Sequence, residues 1–226
     1  DGSIPHLLLS GDPGTGKTTL AKVLIHELDV SEYDVLEINA SRENSVDVVR
    51  NKIVNFVQTM PFGSFKVVLL DEADYLTPAG QAALRNDMEA YHMTARFILT
   101  CNYVEKVIDP IQSRCQVFGI TPPSKKDVAI RINEILQAEA VTFKPEDLVS
   151  IINAGYPDIR RILNSCQRQV VNGELKVDKQ SLIASNYMDK VIELLASKPD
   201  KKQLFTSIRQ LLADSQVKDY TALYRH

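Results

Sequence analysis

Three short stretches hold the residues best suited to chemistry. The first, "GDPGTGKT" at 11–18, has the spacing G-x-x-x-x-G-K-S/T, directly after an apolar stretch and directly before a helical pattern. Gly11, Gly14 and Gly16 let the backbone curl so that its N–H groups converge on an anion, and a helix starting there adds its dipole. Asp12, Pro13 and Thr15 complete the loop, and Thr19 follows it. In such a phosphate-cradling loop Lys17 would reach the β- and γ-phosphates of ATP and Thr18 would ligate Mg²⁺. A Gly-rich turn with a chance lysine is the competing reading, and the flanking strand and helix weigh against it.

The second stretch, "VVLLDE" at 67–72, is an apolar run ending in two acids. A buried strand there delivers Asp71 to the sheet's C-terminal edge beside the loop, where it can hold Mg²⁺ through water. Glu72 is the natural general base for an attacking water. The third stretch, "ILTCN" at 98–102, ends in Asn102. An amide at the end of a neighbouring strand can orient that water, since ligands bind at this edge of such sheets. A turn-forming asparagine is an equal alternative. A further residue, Arg114 in "PIQSRCQVF" at 110–118, is either a solvated turn charge or a group acting on something its own chain cannot reach.

These residues need a scaffold, and the first half of the chain supplies one. Short apolar runs at 6–10, 34–40, 66–74, 95–102 and 115–120 alternate with helical patterns at 17–28, 45–60 and 77–91. In the second of these patterns apolar residues fall at 46, 49, 53, 54 and 57, close to a 3.6 period. Thr77 followed by Pro78 is a good N-cap and first-turn pair. Continuous apolar strands between helices predict an α/β domain with a five-stranded parallel sheet covered on both faces. At "TPPSKKD" (121–127) the composition changes to that of a linker. Beyond it 124–139, 144–154, 157–171, 184–197 and 200–215 read as helices, with no strand among them.

Composition narrows the class. The chain has 226 residues, 44% hydrophobic and 24% charged, and a formal net charge of −3. That suits a soluble globular protein, and nucleic acid would have to be met by a local patch or within an assembly. The three cysteines and four histidines show no metal-ligand spacing, and reduced thiols in a cytoplasmic setting with packing roles are expected. No apolar run reaches membrane-spanning length. The chain opens at Asp1 rather than methionine and is read as continuing upstream.

Taken together these residues resemble the AAA+ ATPases. "NYVEKVIDPIQSRC" (102–115), "EINAS" (37–41), "VVRNKI" (48–53), "VVLLDEAD" (67–74) and "QAALRNDMEAY" (81–91) resemble the clamp loader family among them. That family comprises the replication factor C small subunits and the ATPase subunit of T-even phage clamp loaders. The resemblance runs from Ile4 to about Asn172; "MEAY" leans to the phage form and the 102–115 stretch to the archaeal one.

The resemblance implies an AAA+ domain over 1–121, a helical lid over 122–185 and the start of a helical collar over 186–226. The family's upstream adenine-closing segment and the rest of its collar are then missing from this chain. It implies that Arg114 is an arginine finger acting in trans on a neighbouring subunit, that Asn102 takes the sensor 1 position, and that Arg160 in "GYPDIRRIL" (155–163) reaches the γ-phosphate from the lid, with Arg161 as runner-up. Arg50 and Lys106 take plausible DNA-backbone positions. Phe56, Met60 and Phe62 in "FVQTMPFGSF" (56–65) take the region facing the sliding clamp, with core packing as the alternative.

The implied function is ATP-dependent loading of a sliding clamp onto primer–template DNA, together with other clamp loader subunits. Another AAA+ DNA machine, such as a branch-migration or initiator ATPase, a non-hydrolysing scaffold, and an inactive nucleotide-binding fragment are the alternatives.

Overall fold

The apolar strand runs of the first half join in one parallel sheet, and the three central ones bury both of their faces. The computed structural model describes residues 4–42, 46–177, 194 and 201–214. In chain order the first part contains β1 (Leu7–Ser10), α1 (Lys17–Glu27), β2 (Val35–Asn39), α2 (Val46–Val57), β3 (Lys66–Asp71), α3 (Pro78–Ala90), β4 (Ala95–Cys101), the short α4 (Asp109–Gln112) and β5 (Gln116–Gly119). The sheet order is β2-β3-β4-β1-β5 and every neighbouring pair is parallel, as the apolar pattern predicts.

Alternation within the strands splits the core in two. Leu8, Val68, Leu70, Phe97 and Leu99 point to one face, with Ile53 and Val57 of α2 and Leu84 and Met88 of α3. Leu7, Leu9, Val67, Leu69 and Ile98 point to the other, with Ala21 and Ile25 of α1. Each large side chain so buried contributes on the order of 1.5–3 kcal/mol. β5 differs from the expectation of a further buried strand: all four of its residues are exposed. It is an edge strand, and among the described residues β1 is its one neighbour in the sheet.

The chain divides into two compact units, residues 1–122 and 123–226. The second holds α5 (Lys125–Ala138), α6 (Pro145–Gly155), α7 (Ile159–Gln169) and α8 (Lys201–Asp214). Ser124 caps α5 and Asp158 caps α7, each side chain accepting a backbone N–H of the first turn. Val128, Ile132, Leu148, Ile151, Ile162 and Cys166 form its core. Gly155 is required at the α6–α7 approach, because a Cβ there would lie 2.5 Å from Ile162 Cγ1.

One reading needs correction. The helix expected over 157–171 stops at Gln169, and Val170–Val171 pairs antiparallel with Glu174–Leu175, forming β6 and β7. Asn172 and Gly173 between them have φ of 52° and 76°. Asn-Gly is the pair that a tight two-residue hairpin turn demands, so "VVNGEL" carried a strand signal that helical periodicity obscured. The helix expected over 184–197 lies, apart from Leu194, outside the described residues.

Candidate functional site

The strand order explains the site. β1 leads into the glycine-rich loop, β3 ends at Asp71, and β4, which lies between them, ends at Cys101 just before Asn102. All strands run the same way, so the loop, Asp71, Glu72 and Asn102 share the C-terminal edge of the sheet.

Gly11 enters the loop with φ of 148°, and a Cβ on it would sit 2.2 Å from the Ile120 carbonyl oxygen. Gly14 and Gly16 have φ of 77° and 92°, and Gly16 caps α1. Thr15 donates to the Asp12 carbonyl at 2.8 Å, closing the curl. Asp12, Pro13 and Thr19 are exposed.

Lys17 is only 7% exposed. Its ammonium donates to the carbonyls of Gly11 at 2.9 Å and Asp12 at 2.8 Å. Burial lowers its pKa, partly offset by nearby acidic groups that include Asp12, Asp71 and Asp74. A buried cation whose hydrogen bonds go to neutral carbonyls is set up to accept an anion. That observation fits the loop to a nucleotide phosphate.

Thr18 donates to Asp71 Oδ1 at 2.6 Å, so the two residues expected to share a cation meet directly. Both are hard oxygen donors that suit Mg²⁺. Thr100 Oγ1 also donates to Asp71 Oδ1 at 2.6 Å, and the Glu72 N–H donates to Thr100 Oγ1 at 3.0 Å. Glu72 adopts a left-handed φ of 57°, turning the chain out of β3. Asn39 Nδ2 reaches Asp71 Oδ2 at 3.4 Å. Thr100 and Asn39 were missed by the sequence reading. A buried threonine inside the apolar "ILTCN" strand was the available signal for Thr100, and only the sheet pairing reveals Asn39.

The remaining expected residues lie elsewhere. Arg114 precedes β5, whose first residue Gln116 donates to the His6 carbonyl at 2.8 Å. It therefore sits at the N-terminal edge of the sheet, opposite its own chain's glycine-rich loop, with a four-residue strand, roughly 13 Å, between the two edges. Its guanidinium bonds the Pro110 carbonyl and Glu89. Arg160 and Arg161 are exposed at the start of α7 in the second unit. Arg50 is exposed on α2, and the Lys106 ammonium lies 4.3 Å over the Tyr103 ring.

The 56–65 segment divides. Phe56 is half-buried against the core, with the Lys66 ammonium 4.4 Å over its ring, whereas Met60 and Phe62 are 89% and 80% exposed. Phe56 follows the core-packing alternative: it lies on the α2 face that also buries Ile53 and Val57. Tyr33, which sequence reading passed over, packs against Phe62 at 5.6 Å between ring centroids. Buried Asp34 accepts the N–H groups of Phe62 and Gly63 at 3.0 and 2.8 Å, holding the loop in place.

Burial pushes the thiols of Cys101, Cys115 and Cys166 up to about 11, 12 and 11, which keeps them protonated and unreactive at neutral pH. All three are free. Among the described residues no helix is long and apolar enough to cross a membrane.

The family described as "ATPase family associated with various cellular activities (AAA)" matches residues 7–122, a span that takes in the whole sheet and its loops. The chain belongs to this family. It is 46% identical over 182 residues to the replication factor C small subunit of Sulfurisphaera tokodaii, covering 79% of this chain and 56% of that protein. It is 42% identical over 215 residues to the replication factor C small subunit of Aeropyrum pernix, covering 93% and 66%. To replication factor C subunit 2 of Arabidopsis thaliana it is 46% identical over 172 residues, covering 74% and 52%. The chain thus spans between 52% and 66% of the length of these relatives. Among solved structures it is similar to the RuvB Holliday junction branch migration motor of Thermotoga maritima, with a TM-score of 0.61 at 14% identity over 96% of this chain and 65% of that one. At that identity the likeness speaks for the fold alone.

Proposed function

We propose that this chain is an ATPase subunit of a sliding-clamp loader. The observation that carries the proposal is the division of its catalytic groups between two edges of one sheet. Lys17, Thr18, Asp71 and Glu72 gather at one edge, and Arg114 stands exposed at the other. A chain built this way supplies one half of a nucleotide site and lends its arginine to another. The similarity to replication factor C small subunits supports the same reading.

In the proposed mechanism the loop N–H groups and Lys17 bind the β- and γ-phosphates of ATP. Thr18 and, through water, Asp71 would hold Mg²⁺, which supplies charge neutralisation to the phosphates when bound. Glu72 takes a proton from the attacking water as the water oxygen bonds to the γ-phosphorus and the bond to the β-phosphate oxygen breaks, leaving ADP and phosphate. Asn102 orients that water. Arg114 of an adjoining subunit stabilises the charge developing on the transferred group. ATP binding drives assembly on an open clamp and primer–template DNA, and hydrolysis releases both. Arg50 and Lys106 contact DNA phosphates, which gives affinity without sequence reading. Met60 and Phe62, now joined by Tyr33, face the clamp. Such work belongs to a cytoplasmic replication assembly.

The test is the ATPase rate of the full-length chain with its partner subunits, with and without sliding clamp and primer–template DNA. Stimulation requiring both is the expected result. A rate that responds to DNA and ignores the clamp would favour another AAA+ DNA machine, and nucleotide binding without turnover beside intact partners would favour a non-hydrolysing subunit.

A further inference from the structure

Arg114 is not loose on the surface. Its Nη1 donates to the Pro110 carbonyl and its Nη2 to Glu89 Oε2, each at 2.9 Å, with one third of the side chain exposed. We propose that Glu89 is a positioning residue for the arginine that serves the neighbouring subunit's ATP, an inference that rests on the trans reading of Arg114. A guanidinium has five N–H donors. Two contacts on its own chain leave three for an incoming phosphate while restricting rotation of the long side chain.

Both anchors stand on rigid supports. Glu89 lies near the end of α3, whose Leu84 and Met88 are buried in the core. The same helix is tied to the 104–108 segment by Gln81, which donates to the carbonyls of Leu76 and Lys106 and accepts the Ile108 N–H. Pro110 lies in α4, fixed by fully buried Ile111 and by Gln112, which donates to the carbonyls of Val104 and Val107. A charged group aimed from two fixed points reaches its target geometry without searching for it, which is how preorganisation lowers a barrier.

An exposed ion pair contributes little to stability, so Glu89 is expected to matter in turnover rather than in folding. The test uses the full-length chain assembled with its partner subunits, clamp and primer–template DNA, comparing Glu89→Ala, Glu89→Gln, Arg114→Ala and the Glu89→Ala/Arg114→Ala double variant. Glu89→Ala is expected to lower kcat about 3- to 10-fold with KM for ATP moved less than about twofold. Glu89→Gln, whose amide oxygen still accepts from Nη2, recovers most of that loss. In the Arg114→Ala background the Glu89→Ala change costs nothing further.

An unchanged or higher kcat in Glu89→Ala overturns the proposal, a rise marking Glu89 as a brake that competes with phosphate. A loss that persists in the Arg114→Ala background also overturns it. Should Arg114→Ala itself leave kcat intact, the trans reading fails and takes this inference with it; a loss in Arg114→Ala without one in Glu89→Ala removes the positioning role alone.

Discussion

Thr18 and Asp71 stand 53 positions apart in the chain, and the Thr18 hydroxyl donates to Asp71 Oδ1 at 2.6 Å. Thr100 donates to that same oxygen at 2.6 Å, so one carboxylate ties the first turn of α1 to the ends of β3 and β4. Asp71→Asn keeps the size and an acceptor oxygen but removes the charge that a divalent cation needs. Turnover in Asp71→Asn is expected to fall about 100-fold or more, and the Mg²⁺ concentration for half-maximal rate to rise. A Mg²⁺ titration of ATPase rate checks this; an unaltered titration curve would remove Asp71 from the metal site.

Glu72 leaves β3 through a left-handed turn held by the bond from its N–H to Thr100. Glu72→Gln keeps the turn and the side-chain volume and loses the base. ATP binding is expected within about threefold of the parent, with turnover lowered about 100-fold or more. Equilibrium binding and steady-state rate measured on one preparation separate the two effects, and turnover near the parent's would eliminate Glu72 as base.

Two glycines of the loop make contrasting predictions. A Cβ at Gly11 meets the Ile120 carbonyl oxygen at 2.2 Å, whereas one at Gly16 meets nothing within 4 Å and faces only its positive φ of 92°. Gly16→Ala should cost about 1–2 kcal/mol. Gly11→Ala should cost more and weaken nucleotide binding at least about tenfold, because backbone on both sides must shift. Thermal unfolding of the two variants decides it; equal midpoints would mean that the Gly11 approach relaxes freely.

Gln81 is 3% exposed and makes three hydrogen bonds to the backbone of the 76–108 region. Gln81→Leu fills the same space and leaves those three backbone groups without their partner. Destabilisation of about 2–4 kcal/mol follows, read as a shift in the urea midpoint. A shift below about 0.5 kcal/mol would show that solvent replaces the amide at no cost.

His6 gives the fold a pH dependence. Its Nδ1 accepts the Phe97 N–H at 3.1 Å, so the ring is neutral in the fold. Burial, then the charges of Arg96 and His92, lower its pKa from 6.5 to about 4. The folded value lies below the unfolded one. Its contribution is therefore whole above pH 6.5 and is lost as pH falls from there toward 4. His6→Gln, which does not titrate, should show a shallower fall in thermal midpoint across that window. Parallel curves for parent and variant would remove His6 as the cause.

Much of this protein lies in short-range pattern. The phosphate loop, the strand ending in Asp71 and Glu72, the Thr77–Pro78 helix start and the alternation that demands a parallel sheet are all readable within windows of about a dozen residues, because backbone freedom, capping and hydrophobic period are local properties. The hairpin turn at Asn172–Gly173 was equally local; helical periodicity in the preceding residues masked it.

Other features came into view only with the fold. Nothing near Thr100, Asn39 or Glu89 in sequence says that the first two meet Asp71 or that the third meets Arg114. Those contacts follow from the strand order β2-β3-β4-β1-β5 and from α3 reaching the far edge of the sheet. Likewise only the fold shows that Arg114 lies at the edge of the sheet opposite its own chain's glycine-rich loop. Local sequence determined which chemistries were present, because residue type and spacing are written along one strand or one turn. The tertiary structure decided which of them act together and which face outward, because residues distant in the chain share a site only when packing chooses which strands and helices become neighbours.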